Sequence, residues 1–314
     1  MAEKGEAMEP RFHPVNAPRS KVRRLRLLAI PLVLISALFA AGGGVTKAAA
    51  STANYYLSLG DSLSQGVEPN SHGVNVVTTR GYADDLWHVE QLQIPHLLLA
   101  KLGCPGETTG SMRTGVGSQC TYADGSQLAQ AVDFVQHHNV SFITIDIGAN
   151  NVDGCVVNGV IDLTCLFNGL TANFSDMTGL GLPAGQNGIL PTLRAAAPTV
   201  PIYAMNYFDP FLAAWLTGSA GQAVAIQSVL LATQFRGVEN NIYGAFGIPV
   251  ADVFTAFQTS NFTIVPFVNL PVNVLVICAL TYACTPPPQG PNILPNDAGY
   301  LLITQTFATT IGTL

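Results

Sequence analysis

Ser58-Leu59-Gly60-Asp61-Ser62-Leu63-Ser64-Gln65-Gly66 follows the apolar run Tyr55-Tyr56-Leu57 and sets a serine on a glycine-initiated turn. A short apolar run closed by turn residues reads as a buried strand, and a serine exposed where a strand ends is where a nucleophile is placed. On its own the tetrapeptide Gly-Asp-Ser-Leu also suits an ordinary turn or a helix cap. The surrounding pattern narrows that choice. Downstream of the strand 55–59, the period of the apolar residues predicts a helix over 82–91 with Leu86 and Val89 on one face, a strand over 97–102, a helix over 127–138 and a strand over 142–147. Helical segments follow within 166–180 and 187–197, then a strand over 200–205, a long helix over 221–246, a strand over 249–253 and a closing helix over 296–311. Strands alternating with helices imply a parallel sheet covered on both faces. In such sheets ligands bind beyond the C-terminal ends of the strands.

Two further segments fall at such ends. One is Lys101-Leu102-Gly103-Cys104-Pro105-Gly106-Glu107-Thr108-Thr109, and the other is Ile147-Gly148-Ala149-Asn150-Asn151. With Gly60 to Leu63 they resemble, in order, three signature blocks of the SGNH (GDSL) esterases and lipases. The resemblance covers nearly all of residues 54–312. Over 102–112, 145–155 and 206–212 the chain is similar to the secreted actinobacterial-type members with three disulfides. It implies a single flavodoxin-like α/β domain, a parallel sheet of about five strands with helices on both faces, and ester or lipid substrates. It also implies acyl transfer through Ser62, with the Ser62 N–H, the Gly106 N–H and the Asn150 amide as oxyanion donors. Glycine suits position 106 because the backbone must approach the substrate closely. Asn151 stands where the family carries aspartate.

The fourth block of the family is Asp-x-x-His, the histidine serving as general base. The matching stretch here is Pro291-Asn292-Ile293-Leu294-Pro295-Asn296, so leucine stands at the base position and proline at that of its orienting aspartate. Leucine can neither accept the proton of Ser62 nor return one to a leaving alcohol. The histidines are at 13, 72, 88, 96, 137 and 138, and His72, ten residues beyond Ser62, is the substitute base closest to hand. His137 and His138 are expected at the opposite edge of the sheet from Ser62. Glu107 and Asp297 lie near matched positions, but a solvated carboxylate is a feeble base at neutral pH. Two functions remain: a serine ester hydrolase with an unusual base, or a silenced relative that binds an ester, lipid or glycan.

The chain has 314 residues, 48% of apolar type, enough for one large core. Lys21, Arg23, Arg24 and Arg26 precede an uncharged run from Leu27 to Thr46, with Ala48-Ala49-Ala50 behind it. This is the pattern of an export signal occupying residues 1–50, with cleavage after Ala50, or of an uncleaved membrane anchor over 27–46. Residues 51–314 then form the hydrolase-like domain. They carry five basic residues (Arg80, Lys101, Arg113, Arg194, Arg236) against sixteen acidic ones, a net charge of −11. Nucleic acid is excluded as a partner, because binding its backbone needs an electropositive surface.

All six cysteines lie in this part, an even number that favours disulfides in an exported chain. Of the 15 pairings, sequence proximity suggests Cys104 with Cys120, Cys155 with Cys165 and Cys278 with Cys284. No Cys-x-x-Cys or Cys/His spacing for zinc is present, and nothing suggests a metal or organic cofactor. A monomer is expected. Residues 253–296 contain no Asp, Glu, Lys or Arg. They read as a neutral loop packed through Phe262, Phe267 and Leu275, or as an apolar surface for an acyl chain or a lipid surface.

Overall fold

Five parallel strands form the central sheet of a computed structural model that describes residues 53–157 and 160–313. The expectations for residues 1–50 lie outside the described residues. In chain order the elements are β1 (Asn54–Gly60), β2 (Val67–Pro69), β3 (Asn75–Val77), α1 (Tyr82–Glu90), β4 (Leu97–Lys101), α2 (Thr109–Thr114), α3 (Gln127–His137) and β5 (Asn139–Asp146). Then come β6 (Val156–Val157), β7 (Val160–Ile161), α4 (Leu163–Thr178), α5 (Ile189–Ala196), β8 (Ile202–Met205), α6 (Ser219–Ala245), β9 (Val250–Ala251) and α7 (Val253–Ala256). The hairpin strands β10 (Ile264–Val265) and β11 (Leu270–Pro271), α8 (Val272–Leu280) and α9 (Asp297–Ile311) complete the fold. The sheet order is β4-β1-β5-β8-β9, the flavodoxin-like arrangement in which the direction of winding reverses between β1 and β5. That crevice is where such folds bind ligands.

Period-2 alternation sorts the strand residues between two cores. Tyr56 and Phe142 point into one, with Tyr82 and Leu86 of α1 and Tyr300, Ile303 and Phe307 of α9. Leu57, Leu59, Ile143 and Ile145 point into the other, with Leu128, Ala131 and Phe134 of α3 and Ile189, Leu190 and Leu193 of α5. Helix starts carry the side-chain caps that orphan backbone N–H groups require. Ser126 caps α3, Asp162 caps α4 and Asn296 caps α9.

The six cysteines form the bridges Cys104–Cys120, Cys155–Cys165 and Cys278–Cys284. The charge-free segment departs from the expectation of a loop held down through Phe262, Phe267 and Leu275. It contains the β10–β11 hairpin and α8, and Phe267 at the hairpin tip is fully exposed. Only Phe262 and Leu275 of the three are part-buried, the former against Trp215 with ring centroids 5.7 Å apart. The sequence hid the helix because Val-Asn-Val-Leu-Val-Ile-Cys-Ala-Leu has no polar face from which to read a period. The hairpin Val67–Val77 and the short α2 were likewise not legible as separate elements.

Candidate active site

Gly60 ends β1 with φ +137°, and a Cβ there would lie 2.1 Å from the carbonyl oxygen of Asp146. Only glycine therefore lets β1 and β5 stay this close at their C-terminal ends. Gln127, fully buried at the start of α3, reads both backbone groups of that glycine. Its Oε1 accepts the Gly60 N–H at 2.7 Å and its Nε2 donates to the Gly60 carbonyl at 2.9 Å. The turn carrying Ser62 is thus fixed from below. Ser62 itself is part-buried, its carbonyl accepts the Val67 N–H at 3.1 Å, and its own N–H has no partner among the described residues.

The other two blocks are tied to the first and to each other. Cys104 donates its N–H to the Gly60 carbonyl at 3.0 Å. Cys104-Pro105-Gly106-Glu107 is a turn closed by the Glu107 N–H on the Cys104 carbonyl at 3.1 Å, with Gly106 exposed at φ +74°. Proline second and a left-handed glycine third are what a type II turn demands. The Gly106 N–H is also without a partner among the described residues. Asn150 Nδ2 donates to the Glu107 carbonyl at 2.9 Å, which uses one of its two N–H groups and leaves the other. Asn151 holds the start of α2, accepting the Thr109 N–H at 3.0 Å and donating to Thr109 Oγ1 at 2.9 Å. The Asp61 N–H on the Asp146 carbonyl, at 3.1 Å, joins the first block to the strand that leads into the third. Each of the three segments is therefore hydrogen-bonded to the other two or to the strand that carries them.

The fourth segment is different in kind. Leu294 is 5% exposed and belongs to the apolar cluster of Leu63, Val67, Tyr207 and Phe208. Pro291 lies in the loop before it. All five described histidines are exposed. His72 sits in the turn between β2 and β3, where Asn70 Oδ1 accepts its backbone N–H at 2.9 Å and its ring faces Ser71. This hairpin touches the fourth segment through Asn292 Nδ2 on Asn75 Oδ1 at 2.8 Å. His96 and His138 stand just before β4 and β5, at the end of the sheet away from Ser62. Glu107 is not solvated as expected. It is fully buried, accepts the Ser118 hydroxyl at 2.9 Å, and burial raises its pKa. Asp297 is exposed and pairs with Arg80 at 3.2 Å.

A set of buried acids that the motifs do not announce lies around the turn. Asp61 and Asp146 are 2% and 0% exposed. Asp61 Oδ1 accepts the Leu63 N–H at 2.9 Å, Asp61 Oδ2 accepts the Tyr207 hydroxyl at 3.2 Å, and Asp146 Oδ1 accepts the Tyr82 hydroxyl at 2.6 Å. Burial, and then the charge of Asp61, pushes Asp146 well above the carboxylate range. Burial pushes Asp61 up to about 6, with the Leu63 N–H, Asp146, Tyr207 and the Ser62 hydroxyl opposing it. Burial likewise raises Asp209 to about 6 and Glu239 well above its ordinary value, and it raises the part-buried Asp153 as well. The folded chain therefore keeps protons that an unfolded carboxyl loses near pH 4. At these groups the native state binds more protons, so their contribution to stability is fully present below about pH 4 and is lost as pH rises through 6 and 7. Urea melts should show an unfolding free energy lower at pH 8 than at pH 5 by an amount on the order of a few kcal/mol, seen as a lower midpoint; an equal or higher midpoint at pH 8 would contradict these assignments.

The turn, the two further segments and the winding reversal now coincide at one end of the sheet. The chain resembles the SGNH hydrolases. No protein-family model matches the sequence, and no curated protein matches it either. Among solved structures, a phospholipase A1 from Streptomyces albidoflavus is 18% identical, covering 82% of this chain and 100% of its own, at a TM-score of 0.48. An acetylxylan esterase from Geobacillus stearothermophilus is 16% identical over 83% of this chain and 95% of its own, at 0.47. An extracellular lipase from Streptomyces rimosus is 18% identical over 72% of this chain and 99% of its own, at 0.43. The SGNH resemblance rests on the blocks and their placement on the sheet; these distant likenesses add no argument about the reaction.

Proposed function

We propose that residues 51–314 form an exported SGNH-type ester hydrolase in which Ser62 is the nucleophile and the Ser62 N–H, the Gly106 N–H and the Asn150 amide receive the oxyanion. The observation that carries this reading is the mutual hydrogen bonding of the three segments, which leaves both backbone donors without an internal partner. Donors held in place before the reaction cost no reorganisation when charge develops, which is why such sites contribute heavily to acyl transfer. Export rests on the leader pattern with cleavage after Ala50 and on three disulfides, which persist in oxidising compartments. Exposed Phe267 and Val268 at an uncharged hairpin tip support contact with a lipid surface. The protein acts as a monomer on small ester or lipid substrates.

Leu294 favours a second reading. A buried leucine in place of the imidazole suits a cleft that holds an ester, lipid or glycan without cleaving it. Hydrolysis of p-nitrophenyl acetate and butyrate by residues 51–314 separates the two. Under the first reading Ser62→Ala abolishes turnover, and Asn150→Ala lowers kcat by about 10²–10³ with little change in KM, the loss expected for one oxyanion donor. Turnover that survives Ser62→Ala would overturn the serine reading, and no turnover in the wild type alongside saturable ester binding would leave the second reading standing.

A further inference from the structure

We infer that a fixed run of hydrogen bonds from Asp176 through Thr109 to Asn151 sets the spacing of the two donor segments, and that this run requires an amide at residue 151. This rests on the serine-hydrolase reading above. The direction of each bond follows from the groups present. The Thr109 N–H can only donate, so the Asn151 atom that faces it at 3.0 Å is Oδ1, and the atom beside Thr109 Oγ1 at 2.9 Å is the amide nitrogen. That nitrogen donates to the hydroxyl, which leaves the hydroxyl proton for Asp176 Oδ2 at 3.1 Å. Asp176 is the carboxylate of an ion pair, its other oxygen accepting from Arg113 Nε at 2.7 Å. Thr109 is fully buried and Asp176 is 6% exposed, so an error in this order would not be repaired by solvent.

Helix α4 anchors the run at both ends. Gly169 and Asp176 lie two turns apart on one face of it. A Cβ on Gly169 would lie 2.2 Å from the Asn151 carbonyl oxygen, so the third block rests directly on the helix. Asp176 holds α2 through Thr109 and again through Arg113, one turn further on. Thr109 closely follows Gly106 in the chain, and Asn151 adjoins Asn150, whose amide donates to the Glu107 carbonyl. A shift in this run therefore moves the Gly106 N–H and the Asn150 amide relative to each other, and donors displaced from the oxyanion lose their hold on the transition state. An aspartate at 151 would offer Thr109 a second acceptor where the run needs a donor. Two carboxylates would then compete for one hydroxyl proton, with a single guanidinium to balance them. The departure from aspartate in the third block is thus matched to Asp176.

The test is a double-mutant cycle on Asn151→Asp and Asp176→Asn, read both as kcat on p-nitrophenyl butyrate and as the unfolding equilibrium in urea. Asn151→Asp should lower kcat by about 10-fold or more, with KM within about twofold of the wild type. Adding Asp176→Asn reverses the run, since Thr109 then donates to residue 151 and accepts from residue 176. The double variant should recover at least about threefold of the lost kcat and unfold less readily than the two single changes combined. A cycle additive in both readouts overturns the bond order. Coupling in urea with an unchanged kcat in Asn151→Asp overturns the positioning role. If Asn151→Asp does not fold, two changes at Thr109 decide. Thr109→Ser keeps the hydroxyl and should hold kcat within about threefold, whereas Thr109→Val should lose about 10-fold or more; equal rates in the two overturn the inference. No turnover in the wild type, or turnover that survives Ser62→Ala, overturns the serine reading and the positioning with it, while the urea cycle still decides the bond order.

Discussion

Leu294→His should raise kcat/KM for p-nitrophenyl esters at pH 7–8 by about 10³-fold or more over the wild type. The expectation follows from what an imidazole adds to a site whose donors are already in place. Loss of the histidine in a serine hydrolase costs about 10⁶ in kcat, and the oxyanion site and binding alone retain roughly 10³–10⁴ over water. Residue 294 is 5% exposed, in an apolar cluster that includes Leu63, one residue past Ser62. Those surroundings disfavour the charged imidazolium and keep the ring neutral, which is the form a base needs. They also impose a penalty of about 1–3 kcal/mol for a buried polar ring with incomplete hydrogen bonding, visible as a lower melting point. Pro291→Asp, added to Leu294→His, supplies the orienting carboxylate and should raise the rate again by a smaller factor. A folded Leu294→His protein no faster than the wild type would mean that the three donor segments do not face a common point.

Gly60→Ala should destabilise the protein by about 4 kcal/mol or more, among the largest single-residue effects in the chain. The new Cβ would sit 2.1 Å from the Asp146 carbonyl oxygen and 2.3 Å from its Oδ1. Neither can move freely, because the carbonyl accepts the Asp61 N–H and Oδ1 accepts the Tyr82 hydroxyl. Backbone strain at φ +137° adds to the clash. Gly106→Ala makes an instructive contrast. Its Cβ would meet the Gln119 amide nitrogen at 2.6 Å, the far end of a flexible side chain, and the residue is exposed. Its stability cost should stay near 1–2 kcal/mol, with the damage falling on activity. Urea denaturation of both variants reads the difference directly.

The sheet and its helices were legible because short apolar runs bounded by turn residues mark the strands and periodic apolar residues mark the helices between them. The positions of Ser62, Gly106 and Asn150 at strand ends followed from the same reading. The elements that escaped it lack a period. Helix α8 is apolar on every face, and the hairpin Val67–Val77 exposes Val74, Val76 and Val77, so no inward row marks it as strand. At the site, Asp61 was read only as part of the Gly-Asp-Ser-Leu tetrapeptide, and Gln127, Tyr207 and Glu239 were not singled out. They act through contacts between residues 67, 146 and more positions apart, and no local pattern encodes such distances. One signal was available for Asp146. A carboxylate ending an otherwise apolar strand, Phe142-Ile143-Thr144-Ile145, asks for a buried partner.

The three segments are knitted together by backbone hydrogen bonds and by the side-chain amides of Asn150 and Asn151, while residue 294 belongs to a separate loop and bonds to none of them. An imidazole placed at 294 would therefore require no compensating change in the turn of Ser62. On the proposed reading, a single residue outside the three segments separates a hydrolysing from a non-hydrolysing form of this architecture, and the cost of exchanging it falls on the stability of one apolar cluster.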